Sequence, residues 1–361
     1  MSFPPFAIAG GGLIIGLLVG YFARRANLCT LGAIESALVG HDWRRMKVFG
    51  LSLALALALT QGLVLAGLFE PIATSYVPSR VAFLSIFAGS VMFGLGMALV
   101  GTCAFGSLLR LGGGDLRSLI TIIVYAVAAT MTLRGALASF RIEGLEAIAL
   151  TMPGERPSAL PDLARQATGI SWRAVLTVAF VVALGLPAVL DRSLRLKRRL
   201  LRAGIVLGLG IAGGWALTGV LADPFESLMR VQSLTFVAPV ARGLNALVFG
   251  TREWIDFGVM SVVGVTLGAF IAARQGDELR WEAFDDHVEM RRHLFGAVLM
   301  GVGGVLAGGC TIGQGLTAGS LLALSWPVAV VGIMLGARVG LAVLIADSLG
   351  DALRSLLGRG D

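Results

Sequence analysis

Long apolar runs dominate this sequence and decide what kind of fold it can adopt. Nine runs are long enough to cross about 30 Å of hydrocarbon, the thickness of a bilayer core. Of the 361 residues, 56% are hydrophobic and only 14% are charged, a balance typical of polytopic membrane proteins. We therefore expect an all-α membrane protein with about nine transmembrane helices. The predicted spans cover residues 6–23, 48–68, 82–100, 118–136, 173–190, 203–221, 256–273, 294–308 and 326–346.

Basic residues lie mainly in the short loops between these runs, and they predict an orientation. The net charge is +7, and cytoplasmic loops of membrane proteins carry an excess of Lys and Arg. Placing the N-terminus outside and the C-terminus inside puts roughly two thirds of the basic residues on the inner side. This distribution explains the charge without a nucleic-acid partner. The first run has no basic segment before it, so we expect a retained helix rather than a removed signal peptide.

The three cysteines stand in near-copies of one short motif: Cys29–Gly32, Cys103–Gly106 and Cys310–Gly313 each read Cys, small, apolar, Gly. Each motif follows a predicted span and begins a glycine-broken stretch that is too short to cross. A fourth stretch, residues 234–239, contains Thr235 and no cysteine. Irregular backbone at membrane depth is tolerated where protein encloses it or where it lines a cavity. We therefore predict four re-entrant stretches that converge on one pathway.

An internal repeat supports this organisation. A single offset of 207 aligns seven positions: Gly89, Gly94, Gly96, Gly101, Cys103, Gly106 and Gly112 fall on Gly296, Gly301, Gly303, Gly308, Cys310, Gly313 and Gly319. The third and eighth spans would cross in opposite directions, which makes the repeat inverted. We predict one transmembrane domain over residues 1–361, with a first repeat at about 6–136, a linking helix at about 173–190 and a second repeat at about 203–346.

The chemistry of the motifs predicts the kind of solute. Helix starts inside a membrane carry partial positive charge and bind anions. Neutral thiols offer weak S–H donors and polarizable sulfur. Together they favour a small anion with a sulfur-bearing end. The candidate transport site comprises Cys29, Cys103, Cys310, Gly106, Gly313 and Thr235.

Other interpretations of the same residues stay open. Free cysteines often pack as small hydrophobic residues, and glycines allow close helix packing. A membrane thiol oxidoreductase would need a pair of cysteines that cycle, and the sequence spacing offers none. A soft-metal carrier could use Cys with some of the 11 Met, but Cys-x-x-Cys and Met-x-x-Met motifs are absent from the sequence. We expect no metal site, no cofactor and no enzymatic activity.

Three stretches are similar to the signature sequences of the YeeE/YedE sulfur-transport family: Asn27–Gly32, Gly101–Gly114 and Gly308–Gly315. The similarity extends over most of the chain. It implies an inner-membrane protein for thiosulfate uptake, with an hourglass interior and a frequent cytoplasmic partner, a small TusA-like sulfur carrier. Members linked to selenium or other sulfur compounds make those solutes the alternative.

The resemblance also implies a role for each thiol. Cys310 would be the outer station, Cys103 the middle station and Cys29 the inner station, an order that agrees with the predicted topology. The long outer loop around Pro153–Pro161 is not part of the family pattern.

Overall fold

All nine apolar runs form helices in the computed structural model, which describes residues 4–151, 158–221, 230–251 and 255–345. Fourteen α-helices lie in these ranges: α1 Pro5–Arg25, α2 Thr30–Leu38, α3 Arg44–Leu65, α4 Phe83–Val100, α5 Ala104–Gly112, α6 Leu116–Arg134, α7 Leu160–Thr168, α8 Arg173–Leu190, α9 Arg192–Leu196, α10 Arg198–Trp215, α11 Ala238–Phe249, α12 Phe257–Gln275, α13 His287–Leu306 and α14 Ser325–Ile345. The expectation of an all-α membrane protein is confirmed.

Eight of the nine predicted spans correspond to helices that are long and apolar enough to cross a membrane, counted over the described residues. The remaining prediction, residues 294–308, falls on α13. This helix has 20 residues, the length of a crossing, and its first two turns carry Glu289, Arg291 and Arg292. Those charges distinguish α13 from the eight more apolar helices.

Helix directions show that α13 nevertheless passes through the bundle. Where α4 faces α14, the residue numbers of the two helices increase in the same direction. Where α4 faces α13, they increase in opposite directions. The facing pairs are Phe87 with Gly332 and Val91 with Gly336 for α4 and α14, and Gly89 with Ala307 and Gly96 with Gly296 for α4 and α13. Since α14 is parallel to α4 and α13 is antiparallel to it, the chain must traverse the helical layer along α13.

Glycines allow the tightest of these helix contacts. A methyl group added to Gly268 of α12 would lie 2.0 Å from the carbonyl oxygen of Leu17 in α1, and one on Gly264 would lie 2.2 Å from that of Leu13. Any larger residue would push the two backbones apart. Small residues at such contacts are typical of helices that pack within membranes.

Short helices occur at the predicted re-entrant stretches. Cys29 precedes α2, Cys103 precedes α5, Thr235 precedes α11, and Cys310 precedes a π-helical segment, Gly313–Ala318. With nine residues, α2 is about 13 Å long at 1.5 Å per residue. It leads through residues 39–43 into α3, so its first turn points into the bundle.

The two ends of the bundle are named here by one residue each. The Tyr76 face is the end where α3 finishes and α4 begins, and the Arg45 face is the end where α3 begins. On the Tyr76 face, strand β1, Arg80–Val81, pairs antiparallel with β2, Leu150–Thr151. Residues 152–157, which include the first part of the predicted Pro153–Pro161 loop, lie outside the described residues, as does the chain from residue 346 onward.

Candidate functional site

Cys29 and Cys103 stand immediately before a helix, and Cys310 stands three residues before the π-helical segment. The backbone N–H of Gly106 donates to Cys103 Sγ at 3.3 Å, and that of Gly313 donates to Cys310 Sγ at 3.4 Å. A side chain at the N-cap normally accepts from the N–H two or three residues later. The two thiols therefore cap the first turns that follow them. Cys29 occupies the corresponding place before α2.

In two of the three motifs, at Gly106 and Gly313, a threonine hydroxyl fills the space where a side chain would begin. A Cβ on Gly106 would lie 2.1 Å from Thr102 Oγ1, and a Cβ on Gly313 would lie 2.5 Å from Thr235 Oγ1. The structure thus brings Gly106 together with Cys103, and Gly313 together with Cys310 and Thr235. The six candidate residues form two groups.

The first group, the Cys29–Cys103 cluster, consists of Cys29, Thr30, Thr102 and Cys103. Cys29 Sγ lies 3.6 Å from Thr102 Oγ1, and Cys103 Sγ lies 3.8 Å from Thr30 Oγ1. Each sulfur therefore contacts the residue beside the other cysteine, and the two thiols are neighbours. The sequence spacing offers no cysteine pair, yet the fold places these two free thiols side by side. The starts of α2 and α5 meet in space, although 74 positions separate the cysteines in the sequence.

The second group, the Cys310 cluster, consists of Tyr76, Thr235 and Cys310. Thr235 Oγ1 lies 3.8 Å from Cys310 Sγ, and the Tyr76 hydroxyl lies against Thr235. Burial raises the pKa of Tyr76 above its ordinary value, because the charged form loses its hydration. The hydroxyl therefore stays protonated and is able to donate a hydrogen bond.

An aromatic pair joins the two clusters. The rings of Phe105 and Phe236 lie 5.0 Å apart with an interplanar angle of 31°, and both residues are fully buried. Phe105 follows Cys103 by two residues, and Phe236 directly follows Thr235. The hydroxyl of Tyr125 donates to the Phe236 carbonyl oxygen at 3.5 Å. The two rings form an apolar waist between the clusters.

Two open cavities, each of about 470 Å³, reach the Cys310 cluster from the Tyr76 face. Both are lined by Tyr76 and Gly308, and one of them also by Thr235, Arg230 and Arg242. The Arg242 guanidinium is fixed in place: it donates to an Asp256 carboxylate oxygen at 2.7 Å and to Gln232 Oε1 at 2.7 Å. Two basic side chains, Arg230 and Arg242, therefore line one of the cavities that reach this cluster.

On the Arg45 face, a basic side chain lies close to the other cluster. A Cβ on Gly32 would lie 3.0 Å from Arg45 Nη1 and 3.8 Å from Cys29 Cβ. Arg45 has no hydrogen-bonded or ionic partner within the described part of the chain. Its neighbour Lys47, in contrast, pairs with Asp191 at 2.6 Å. Arg45 is a half-buried cation beside the more accessible of the two paired thiols.

Comparison with known proteins decides the family. A family described as sulphur transport matches residues 25–339 of the chain.

The chain belongs to the sulphur transport family.

The match confirms the resemblance seen in the cysteine motifs, and it spans both clusters. Together with its apolar helices, family membership makes this a multi-pass membrane protein of a transport family.

Two relatives align with nearly the whole chain. The "Thiosulfate transporter TsuA" of Escherichia coli (strain K12) is 28% identical over 344 residues, which are 92% of this chain and 93% of the relative. A protein of the same name from Spirochaeta thermophila is 28% identical over 359 residues, 90% of this chain and 96% of the relative. The chain is thus similar to these proteins over more than nine tenths of their lengths.

Sequence reasoning missed several residues of the site. Phe105 occupies the apolar position of its Cys-x-x-Gly motif, but nothing in the sequence links it to Phe236. Tyr76 lies in a loop without any motif, and Arg45 looks like one of many basic loop residues. In the described part of the chain, no group of three or more His, Cys, Asp and Glu side chains could hold a metal ion.

Proposed function

We propose that this protein is a permease that takes up thiosulfate through the bacterial inner membrane. Family membership and the two relatives named as thiosulfate transporters support the substrate. Thiosulfate carries sulfonate oxygens at one end and a soft sulfur at the other. The anion crosses unchanged, so the protein acts as a transporter and not as an enzyme.

The observation that carries this proposal is the pairing of thiols with hydroxyls at helix starts. In the Cys310 cluster, the Thr235 and Tyr76 hydroxyls stand beside Cys310. In the other cluster, Thr30 and Thr102 stand beside the two thiols. Hydroxyl and backbone N–H donors suit the sulfonate oxygens, while polarizable thiols suit the terminal sulfur. Two weak binding sites in series let the anion move on, whereas one strong site would retain it.

The proposed path runs from the Tyr76 face to the Arg45 face. Thiosulfate enters through the cavity lined by Arg230 and Arg242. It then meets the Cys310 cluster, passes Phe105 and Phe236, and reaches Cys103 and Cys29. With the N-terminus periplasmic and the C-terminus cytoplasmic, the Tyr76 face is periplasmic. The Arg45 face then meets the cytoplasm, where a TusA-like sulfur carrier would receive the product.

An inverted repeat, at about 6–136 and about 203–346 with a linking helix at about 173–190, belongs to the same proposal. A Cβ on Gly296 would lie 2.8 Å from the Gly96 carbonyl oxygen, and one on Gly303 would lie 2.6 Å from that of Gly89. The offset of 207 converts the pair Gly89 and Gly303 into Gly296 and Gly96. Helices α4 and α13 thus make equivalent contacts, as a two-fold relation requires.

Uptake of sulfur-labelled thiosulfate into membrane vesicles tests the function. We expect Cys103→Ala and Cys310→Ala to abolish most uptake at unchanged protein levels, because each removes a station. Ser52→Ala is the matched control, since its buried hydroxyl bonds only to the Val48 carbonyl oxygen within α3. Normal uptake by both cysteine variants would refute the proposal. Competition by unlabelled selenosulfate and sulfate distinguishes thiosulfate from the alternative solutes.

A further inference from the structure

We propose that Cys29 and Cys103 form a redox-active dithiol that reduces the central S–S bond of tetrathionate and closes into a disulfide. The inference rests on the proposed function in one respect: tetrathionate is two thiosulfate units joined through sulfur, so it presents the same sulfonate ends to the same site. The added activity is the reduction of this oxidised form of the substrate.

The geometry of the Cys29–Cys103 cluster favours closure. Each sulfur contacts the threonine beside the other cysteine, at 3.6 Å for Cys29 and 3.8 Å for Cys103. Both thiols are free, and both stand at helix starts whose N–H groups stabilise negative charge that develops on sulfur. Cys310 belongs to the other cluster, beyond the Phe105 and Phe236 rings, and is outside this pair.

Accessibility assigns different roles to the two thiols. Cys29 is partly exposed, whereas Cys103 is fully buried. Cys29 therefore attacks the incoming reagent, and Cys103 resolves the product. The Arg45 guanidinium stands beside Gly32 in the first turn after Cys29 and has no partner of its own within the described residues. A cation beside the attacking thiol attracts a dianionic reagent and not a neutral one.

The chemistry balances in two exchange steps. The Cys29 thiolate attacks an inner sulfur of tetrathionate, which forms a Cys29–S–S–SO₃⁻ adduct and releases one thiosulfate. The Cys103 thiolate then attacks Cys29 Sγ, which forms the Cys29–Cys103 disulfide and releases a second thiosulfate. Two protons pass from the thiols to water. The dithiol loses two electrons, and tetrathionate gains them.

Mass spectrometry of the purified full-length protein tests the inference. After exposure to tetrathionate, the wild-type protein should contain a peptide pair linked through Cys29 and Cys103, while Cys310 remains open to alkylation after denaturation. Cys103→Ser should stop at the adduct on Cys29, because the resolving thiol is missing. Cys29→Ser should form neither product. Absence of the linked pair in the wild type, or a disulfide that includes Cys310, would overturn the inference.

Arg45→Gln provides a test that does not depend on altering a cysteine. The variant should form the disulfide more slowly than wild type with tetrathionate, and at the wild-type rate with diamide, which is neutral. Diamide thus also reports whether the variant keeps its fold. If the variant formed the disulfide at the wild-type rate with tetrathionate as well as with diamide, the role of Arg45 would be refuted.

Vesicle uptake separates this inference from the proposed function. Treatment of wild-type vesicles with tetrathionate should reduce thiosulfate uptake in proportion to the disulfide formed, and dithiothreitol should restore it. Wild-type vesicles that never take up thiosulfate would refute the proposed function, whatever the mass spectra show. Vesicles that transport normally after tetrathionate treatment, without any disulfide, would refute only the dithiol.

Discussion

Replacing Gly313 by Ala is the sharpest structural test of the Cys310 cluster. The added Cβ would lie 2.5 Å from Thr235 Oγ1 and 2.9 Å from the Tyr76 hydroxyl. Ordinary contact begins at 3.4 Å, so these hydroxyls must retreat by about 0.9 Å and about 0.5 Å. Both belong to the proposed anion station, so the substitution disturbs the station directly.

Overpacking of this size costs about 1–3 kcal/mol. If this cost falls on substrate binding, the apparent KM for thiosulfate rises about 5- to 150-fold. Gly315→Ala is the matched control, because Gly315 lies in the same π-helical segment and a Cβ there meets nothing within 4 Å. Any gain in helix propensity is similar at the two positions and cancels in the comparison.

The assay is initial-rate uptake of sulfur-labelled thiosulfate over a range of concentrations, with protein amount and thermal stability measured for each variant. We expect Gly315→Ala to match wild type and Gly313→Ala to show the raised KM. Equal kinetics for the two variants at equal protein amounts would refute the assignment of Thr235 and Tyr76 to the substrate path.

Three further predictions concern stability, measured by thermal unfolding in detergent. Asp256→Ala should destabilise the protein by about 3–5 kcal/mol, because it leaves the buried Arg242 guanidinium without its ion-pair partner; a loss below about 1 kcal/mol would show that this pair is solvated. Phe105→Ala should cost about 3–5 kcal/mol, since it empties a fully buried site in the aromatic waist; an unchanged midpoint would contradict the packing described. Gly268→Ala should lower the midpoint, because its Cβ would meet the α1 backbone, whereas Gly10→Ala, where a Cβ meets nothing within 4 Å, should not; the same midpoint for both would argue against the α1 and α12 contact.

Hydropathy predicted most of the helices, because a chain in hydrocarbon must pair its backbone N–H and C=O groups internally, and a helix does so within one segment. The run at 294–308 is instructive: its glycines and apolar residues indicate a span, and α13 extends beyond it to His287. Glu289, Arg291 and Arg292 belong to this same helix. Hydropathy alone would place these charged residues in the loop before it.

The helix starts at the candidate site were also readable from the sequence. The three Cys-x-x-Gly motifs mark re-entrant stretches, and Cys103 and Cys310 cap the turns that follow them. Cys103 and Cys310 thus share one local geometry, whereas Cys29 makes no side-chain cap bond. What surrounds each cap depends on other helices.

Tertiary packing decides the features that the sequence left open. Cys29 and Cys103 are neighbours because the first turns of α2 and α5 meet inside the bundle. No local pattern records that meeting. Tyr76 and Arg45 reach the clusters from loops or helix ends whose composition is ordinary for membrane proteins, so only coordinates reveal their positions.

The most direct test of the central claim is a structure determined in the presence of thiosulfate. We predict density for the anion in the Cys310 cluster, within hydrogen-bonding distance of the Thr235 and Tyr76 hydroxyls, or in the Cys29–Cys103 cluster beside Thr30 and Thr102. Anion density at a site that touches neither cluster, with all three thiols away from it, would contradict the account.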